Sequence, residues 1–378
     1  MTLAIRRLLE DGWPDAAAVD EFLAANSFPL VEGTDVTFVW RGDADAVHLR
    51  HMIFGLPSSQ ALHRLEGTDL WHLTVDLPRA SRMEYKLLVE RDGQAALVLD
   101  PLNPRTAHDP YGTNSVAHGA GYETPEWSLF DPDARPGSLR EMKIESEALG
   151  GERDVTLYLP ARLRPGRRHP LLVVLDGADY LHFAGMKTVL DNLIHRLEIP
   201  PVIAAFTQST ARLREYAADP AHSRFLVEEL VPAVESQYEI ERAPSGRGIV
   251  GASFGAVAAL HAAWRHPGAF GRLLLQSGSF AFTDIGAGRR GPLFKPVVKF
   301  VNAFRDAPGR PAERVFLSCG VYESLIYENR SLLPFLQQSG MEVRYVESRD
   351  GHNWENWRDR LREGLSWLFP GPLWMIYE

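Results

Sequence analysis

Residues 247–265 read Arg-Gly-Ile-Val-Gly-Ala-Ser-Phe-Gly-Ala-Val-Ala-Ala-Leu-His-Ala-Ala-Trp-Arg. Ile249 and Val250 end a short apolar run of strand character, and the alanine-rich segment after Gly255 is a strong helix former. Between them stands Gly251-Ala252-Ser253-Phe254-Gly255. A G-x-S-x-G set between a strand and a helix marks a nucleophile presented on a tight turn at the carboxyl edge of a sheet. Gly251 and Gly255 are expected to be required, because a Cβ at either would strike the neighbouring strand or helix. The plainer reading, a glycine-serine turn of any α/β protein, is outweighed by the match of both flanks.

Working outward, the 378 residues suffice for two domains, each with a core of its own. A net charge of −9 argues against general nucleic-acid binding, which needs a basic face. No apolar run approaches the roughly 20 residues of a membrane span. The N-terminus lacks the uninterrupted apolar stretch and small-residue cleavage site of a signal peptide. Cys319 is the single cysteine, so no intramolecular disulfide forms, and a reducing, cytoplasmic location is expected. There is no Cys/His metal spacing and no glycine-rich phosphate loop, so neither a cofactor nor a metal is expected.

Residues 5–25 read as amphipathic helix broken at Gly12-Trp13-Pro14. Short alternating runs follow at Val36–Trp40, Ala46–Arg50, Trp71–Val75, Tyr85–Val89 and Ala95–Leu99, the rhythm of a small β-sandwich. Residues 100–137 are rich in Pro, Asn, Asp and Gly, which is linker composition and places the domain boundary there. The expected division is 1–118 for the helix and sandwich, 119–137 for the linker and 138–378 for the catalytic domain. In that last part Leu139–Ile144 and Asp154–Leu159 read as an antiparallel pair. Strands at Pro170–Leu175, Val202–Phe206, Arg272–Gln276, Arg314–Ser318 and Val343–Glu347 then alternate with helices, closing with Trp354–Phe369. The fold class expected is an α/β-hydrolase, a mostly parallel sheet with helices on both faces, preceded by the small all-β domain.

A serine hydroxyl needs a base to take its proton and an acid to hold the base, in the chain order Ser, acid, His. His261, His266 and His352 are the histidines that follow Ser253. His261 lies inside the elbow helix and His266 at its far end, whereas His352 directly follows the last strand and is selected. The acid should follow the penultimate strand, where Glu323 is chosen over Glu328; Asp350 is too near His352 in sequence to orient its ring easily. The oxyanion donors expected are the backbone N–H of Phe254 and that of Ala178, in the turn Asp176-Gly177-Ala178-Asp179-Tyr180. Asp179 and Tyr180 of the same turn are assigned to the substrate side.

The chain resembles the enterochelin (enterobactin) esterase family, part of a broader esterase group that includes feruloyl esterases and mycolyltransferases. Phe28–Glu32, Val36–Gly42 and Asp100-Pro101-Leu102-Asn103-Pro104 carry the likeness to that family's immunoglobulin-like domain. Leu175-Asp176-Gly177, Arg212–Tyr216, the elbow, Gln276–Phe280, Gly320–Glu323, Gly351-His352 and Trp357-Arg358 carry the rest. The resemblance implies cytoplasmic hydrolysis of the serine esters of a cyclic catecholate siderophore, with release of iron, by Ser253, Glu323 and His352. It also implies a substrate contact at Arg212. A ferric tris-catecholate is a trianion and calls for a local basic patch, for which Arg212, Arg214, Arg289, Arg290, Lys295 and Lys299 are candidates. The chain departs from the family at Ala281 and Phe282, where tryptophans are frequent, at Ala256 and at Asn353.

The leading expectation is a serine esterase acting on a small-molecule ester, a ferric siderophore by the resemblance. Two alternatives stand beside it: a feruloyl- or acetyl-type carbohydrate esterase, and a non-catalytic binding protein of the same fold.

Overall fold

The computed structural model describes residues 3–8, 14–161, 163–164, 166–283 and 290–372. Gly12 and Trp13, at the expected helix break, and Arg289 of the basic run lie outside them. Two compact units emerge: Met1–Thr124 with Gly320–Glu323 and Ser348–Asn353, and Pro125–Cys319 with Ser324–Glu347 and Trp354–Glu378.

In the first unit, helices α1 (Ala4–Arg7) and α2 (Ala16–Ala25) precede β1 (Leu30–Glu32), β2 (Asp35–Arg41), β3 (Ala46–His51), β4 (Ser59–Ala61) and β5 (His63–Arg64). Strands β6 (Leu70–Asp76), β7 (Arg82–Arg91), β8 (Gln94–Val98), β9 (Thr106–Asp109) and β10 (Gly112–His118) complete it. One sheet has the order β1-β2-β6-β5; the other runs β4-β3-β7-β10-β9, with β8 also paired to β7. Val36, Phe38 and Trp71 of the first sheet share a core with Val47, Leu49, Tyr85 and Leu87 of the second, which makes a sandwich.

Residues 100–118 are not linker. Asp100 N–H donates to Ser115 Oγ (2.9 Å), and Tyr85 O–H donates to Asp100 Oδ2 (2.6 Å). Asn103 Nδ2 donates both to Tyr85 Oη (3.0 Å) and to the Val116 carbonyl (2.8 Å). The Asp-Pro-Leu-Asn-Pro stretch therefore satisfies buried polar groups of β7 and β10, a structural duty that its turn-like composition conceals.

The second unit carries β11 (Ser138–Ser146), β12 (Gly151–Leu159), β13 (Leu171–Leu175), α3 (Gly177–His182), α4 (Met186–His195), β14 (Ile203–Thr207), α5 (Arg212–Glu215) and α6 (Pro220–Arg224). A π-helical stretch at Phe225–Leu230 leads into α7 (Val231–Gln237), which carries Pro232 in its first turn. Then come β15 (Arg247–Ala252), α8 (Phe254–Arg265), β16 (Arg272–Gln276), α9 (Lys295–Asp306), β17 (Arg314–Gly320), α10 (Ile326–Gln338), β18 (Glu342–Ser348) and α11 (Trp354–Leu368). The sheet order is β11-β12-β14-β13-β15-β16-β17-β18. β12 is antiparallel to both its neighbours, while β14, β13, β15, β16 and β17 run parallel in succession. This is the order of an α/β-hydrolase sheet.

All five residues of β13 are buried: Leu171, Val173 and Leu175 enter one core, Leu172 and Val174 the other. The period-two alternation puts apolar groups on both faces, so helices must cover both. Helix α8 lies in the first core, and α4 and α11 lie in the second.

His261 of α8 is buried, and its Nδ1 lies 2.8 Å from Ser223 Oγ. Burial, with Arg265 and His266 nearby, pushes its pKa down to about 4; burial, with His261 and Arg153, pushes that of His222 down to about 3. Both imidazoles are neutral in the fold and take up protons more readily when the chain unfolds. Their contribution is thus complete above about pH 6.5 and is lost as the pH falls toward 4. The unfolding midpoint is expected to drop over that interval, and less steeply in His222→Gln, as read by urea titration at each pH.

Candidate active site

At the end of β15 the chain reverses within one residue. Ser253 has φ 57° and ψ −118°, a sparsely populated conformation for a residue with a Cβ. Its N–H donates to the Gln276 carbonyl (2.9 Å), and Ser279 N–H donates to the Ser253 carbonyl (3.2 Å). These bonds hold the turn from the adjoining strand end. The two Oγ atoms of Ser253 and Ser279 lie 3.2 Å apart in hydrogen-bond contact. Ser279 is 3% exposed and follows Ser277, another residue at positive φ (46°).

The two elbow glycines differ in what they do. A Cβ on Gly251 would lie 2.3 Å from the carbonyl group of Gly255, a contact that forbids any side chain. A Cβ on Gly255 would meet Asp176 Oδ2 at 3.4 Å, an ordinary contact. The expectation that both glycines are obligatory is therefore corrected: the strand side is closed and the helix side is not.

Phe254 opens α8, so its N–H is one of the first-turn donors that find no carbonyl within the helix. Across the sheet, Asp176 follows β13 in the left-handed region (φ 53°), and a Cβ on Gly177 would fall 2.6 Å from the Phe206 backbone. Ala178 is exposed, and its N–H donates to Gln208 Oε1 (3.3 Å). Gln208 Nε2 in turn reaches Asp179 Oδ2 at 3.5 Å, and burial beside Asp176 raises the Asp179 pKa.

Tyr180 is corrected from a substrate contact to a core residue. It is fully buried, donates from its hydroxyl to Gln276 Oε1 (2.7 Å) and meets Trp354 edge-on at 5.2 Å. The short helix α3 turns it inward, away from the exposed Ala178. Arg212 binds Asp176 with Nε and Nη2 at 2.8 and 2.7 Å, and its guanidinium lies 5.5 Å above the Tyr216 ring. Arg214 is 74% exposed and lies 3.9 Å from Glu215. Arg290 pairs with Glu328, while Lys295 and Lys299 are exposed.

In the first unit, Glu323 and His352 are brought together. Glu323 is 1% exposed; its Oε1 accepts from Gly320 N–H (2.8 Å), and its Oε2 accepts from His352 Nδ1 (2.6 Å). A carboxylate can only accept, so Nδ1 carries the proton and the other ring nitrogen, Nε2, is the basic one. Glu328, the alternative acid, is the ion-pair partner of Arg290. Asp350 holds the loop rather than serving as a free carboxylate: its Oδ1 accepts from Gly351 N–H (2.7 Å) and Asn353 Nδ2 (2.8 Å). Burial pushes the Asp350 pKa up to about 6 against the opposing Arg82.

Sequence reasoning gave no role to Gln208 and cited Ser279 only within a family motif. The doubled serine in Ser277-Gly278-Ser279, directly after a strand beside the elbow strand, was the available signal.

Residues 146–368 match the family model described as putative esterase, more than half of the chain, and residues 35–127 match that for the N-terminal domain of enterochelin esterase. The chain is a member of the esterase family. Among its relatives is the iron(III) enterobactin esterase of Dickeya dadantii, 26% identical over 399 aligned positions that cover 91% of this chain and 90% of that one. The iron(III) enterobactin esterase of Escherichia coli K12 is 25% identical, with 81% of each chain covered. The solved ferric enterobactin esterase from Salmonella typhimurium superposes with a TM-score of 0.74 at 22% identity, covering 88% of this chain and 93% of that one. Its likeness bears on the fold, an α/β-hydrolase preceded by an all-β domain.

For this esterase, Gly251→Ala is expected to cost about 1–3 kcal/mol, the usual penalty of overpacking. Gly255→Ala should leave stability unchanged or raise it by up to about 1 kcal/mol through helix propensity. Urea unfolding of the two variants side by side measures the contrast.

Proposed function

We propose that this esterase hydrolyses the ester bonds of a catecholate siderophore by an acyl-enzyme mechanism in which Ser253 is the nucleophile, His352 the base and Glu323 the orienting acid. The observation that carries the chemistry is the strained Ser253 backbone at the carboxyl end of β15. A serine held in that conformation at the carboxyl end of a strand is the arrangement that presents a nucleophile. The Glu323–His352 pair supplies the second requirement, an imidazole already fixed in the tautomer that leaves Nε2 basic.

In this reading Ser253 Oγ adds to the ester carbonyl while His352 Nε2 takes its proton. The tetrahedral oxyanion rests on the N–H groups of Phe254 and Ala178, and Gln208 Oε1 yields its place at Ala178 to the substrate oxygen. The imidazolium then protonates the leaving alcohol, and water, deprotonated by the same imidazole, cleaves the acyl-enzyme. Glu323 stays ionised throughout and stabilises the imidazolium.

The siderophore as substrate is supported by the enterobactin esterases among the relatives and by the match of residues 35–127 to the N-terminal domain of that group. A ferulic acid esterase of known structure, 20% identical with a TM-score of 0.53, covers 62% of this chain, against 91% and 81% for the two enterobactin esterases. In this reading the hydrolysis, with release of iron, takes place in the cytoplasm.

Ser253→Ala should abolish turnover of both a short-chain aryl ester and ferric enterobactin, and Glu323→Gln should lower kcat by up to about 10⁴-fold. Mass spectrometry of the products from ferric and iron-free enterobactin checks the substrate. Cleavage of aryl esters but of neither siderophore form would keep the chemistry and remove the siderophore.

A further inference from the structure

We infer that Arg212 is a positioning residue that ties the turn carrying the Ala178 donor to the nucleophile elbow, and does not serve as a cation for the substrate. The inference rests on the reading of Ala178 N–H as an oxyanion donor.

The guanidinium presents one planar edge to Asp176: Nε to Oδ1 at 2.8 Å and Nη2 to Oδ2 at 2.7 Å. This is the two-bond fork that arginine forms with a carboxylate and lysine cannot. The same Nη2 lies 3.4 Å from the carbonyl of Ala252, the residue immediately before the nucleophile. One group thus contacts the residue that starts the oxyanion turn and the residue that precedes Ser253.

Asp176 is placed to need this partner. It is 1% exposed, stands in the left-handed region at φ 53° and immediately precedes Gly177-Ala178. Its N–H donates to the hydroxyl of the buried Tyr216 (3.1 Å), whose ring lies beneath the Arg212 guanidinium. Its Oδ2 also approaches the elbow helix closely enough to be the nearest atom to a Cβ built on Gly255, at 3.4 Å. A buried carboxylate deprived of its cation is strongly disfavoured and would move toward water or a proton. Such movement would carry the Ala178 N–H out of line with an oxyanion formed at Ser253, and oxyanion stabilisation depends on that alignment being preset.

A cation already bidentate on a buried carboxylate is poorly available to a second anion. The two roles therefore separate by charge of substrate. A positioning role predicts a loss in kcat that is the same for a neutral ester and for a trianionic one. A binding role predicts a rise in KM confined to the trianion.

The test uses the full chain with Arg212→Met, Arg212→Lys, Asp176→Asn and the Arg212→Met/Asp176→Asn double variant, each assayed on p-nitrophenyl butyrate and ferric enterobactin. Arg212→Met should lower kcat on both esters by about 10²-fold, the scale of one lost oxyanion donor, with KM on the neutral ester within about twofold of the parent. Arg212→Lys should recover little of it, and the double variant should be no slower than the slower single variant, because both act through the same ion pair. Labelling of Ser253 by a fluorophosphonate, whose phosphoryl oxygen needs the same donors, should slow in parallel. Unchanged kcat on p-nitrophenyl butyrate with KM raised only for ferric enterobactin would overturn the inference, as would additive losses in the double variant. If Arg212→Met does not fold, Asp176→Asn and Arg212→Lys put the same comparison. Failure of the parent protein to label at Ser253 would instead remove the catalytic reading on which the inference stands.

Discussion

The backbone reversal at Ser253 is the constraint to which the second unit answers. A residue at φ 57° and ψ −118° costs on the order of 1–3 kcal/mol and persists only where its surroundings over-determine it. Here they do so from both directions. The strand side is closed by the contact between Gly251 and Gly255, and the neighbouring strand end grips the serine through Gln276 and Ser279. Behind the turn stand strands whose alternate residues are buried in two separate cores, so neither face of the sheet can relax without opening one of them.

That rigidity has an electrostatic counterpart. The protein is acidic, at −9, and several of its cations near the strand ends are already matched to carboxylates: Arg212 to Asp176, Arg290 to Glu328 and Arg153 to Glu215. Pairs of this kind define where loops stop rather than what they attract. Exposed cations of this unit include Lys295 and Lys299, together with Arg214, which lies 3.9 Å from Glu215. A count of basic residues therefore overstates the field available to an anion, because it cannot distinguish a cation in a clamp from one in water.

What could be read from the chain follows the same division. The elbow was legible because its cause is local: glycine, serine and a helix former in adjacent positions determine the turn within a few residues. The order Ser, acid, His singled out Glu323 and His352 because strand ends fix where loops begin, and these two side chains are in fact bonded to each other. Tyr180 was misread because its orientation depends on α3, a helix of six residues too short to impress a period on the sequence. The partner of Arg212 lies 36 residues away in the chain, beyond any spacing argument. Residues 106–118 were not read as strands because β9 has four residues and β10 opens on Gly-Thr-Asn-Ser, although Asp109-Pro110-Tyr111-Gly112 is a turn signal.

Substrate choice is less legible than chemistry for a physical reason. Ester hydrolysis draws on backbone donors and a fixed imidazole, which tolerate wide change in the side chains around them. Recognition of an aromatic acyl group instead needs open ring faces. Where the family often has tryptophans this chain has Ala281, which is buried, and Phe282, whose ring lies 4.5 Å from the guanidinium of Arg305. Arg305 lies equally over Phe335, at 4.3 Å, so it is sandwiched and its contact with Phe282 is part of the packing. The face of Phe282 turned toward Arg305 is therefore closed to any other ring.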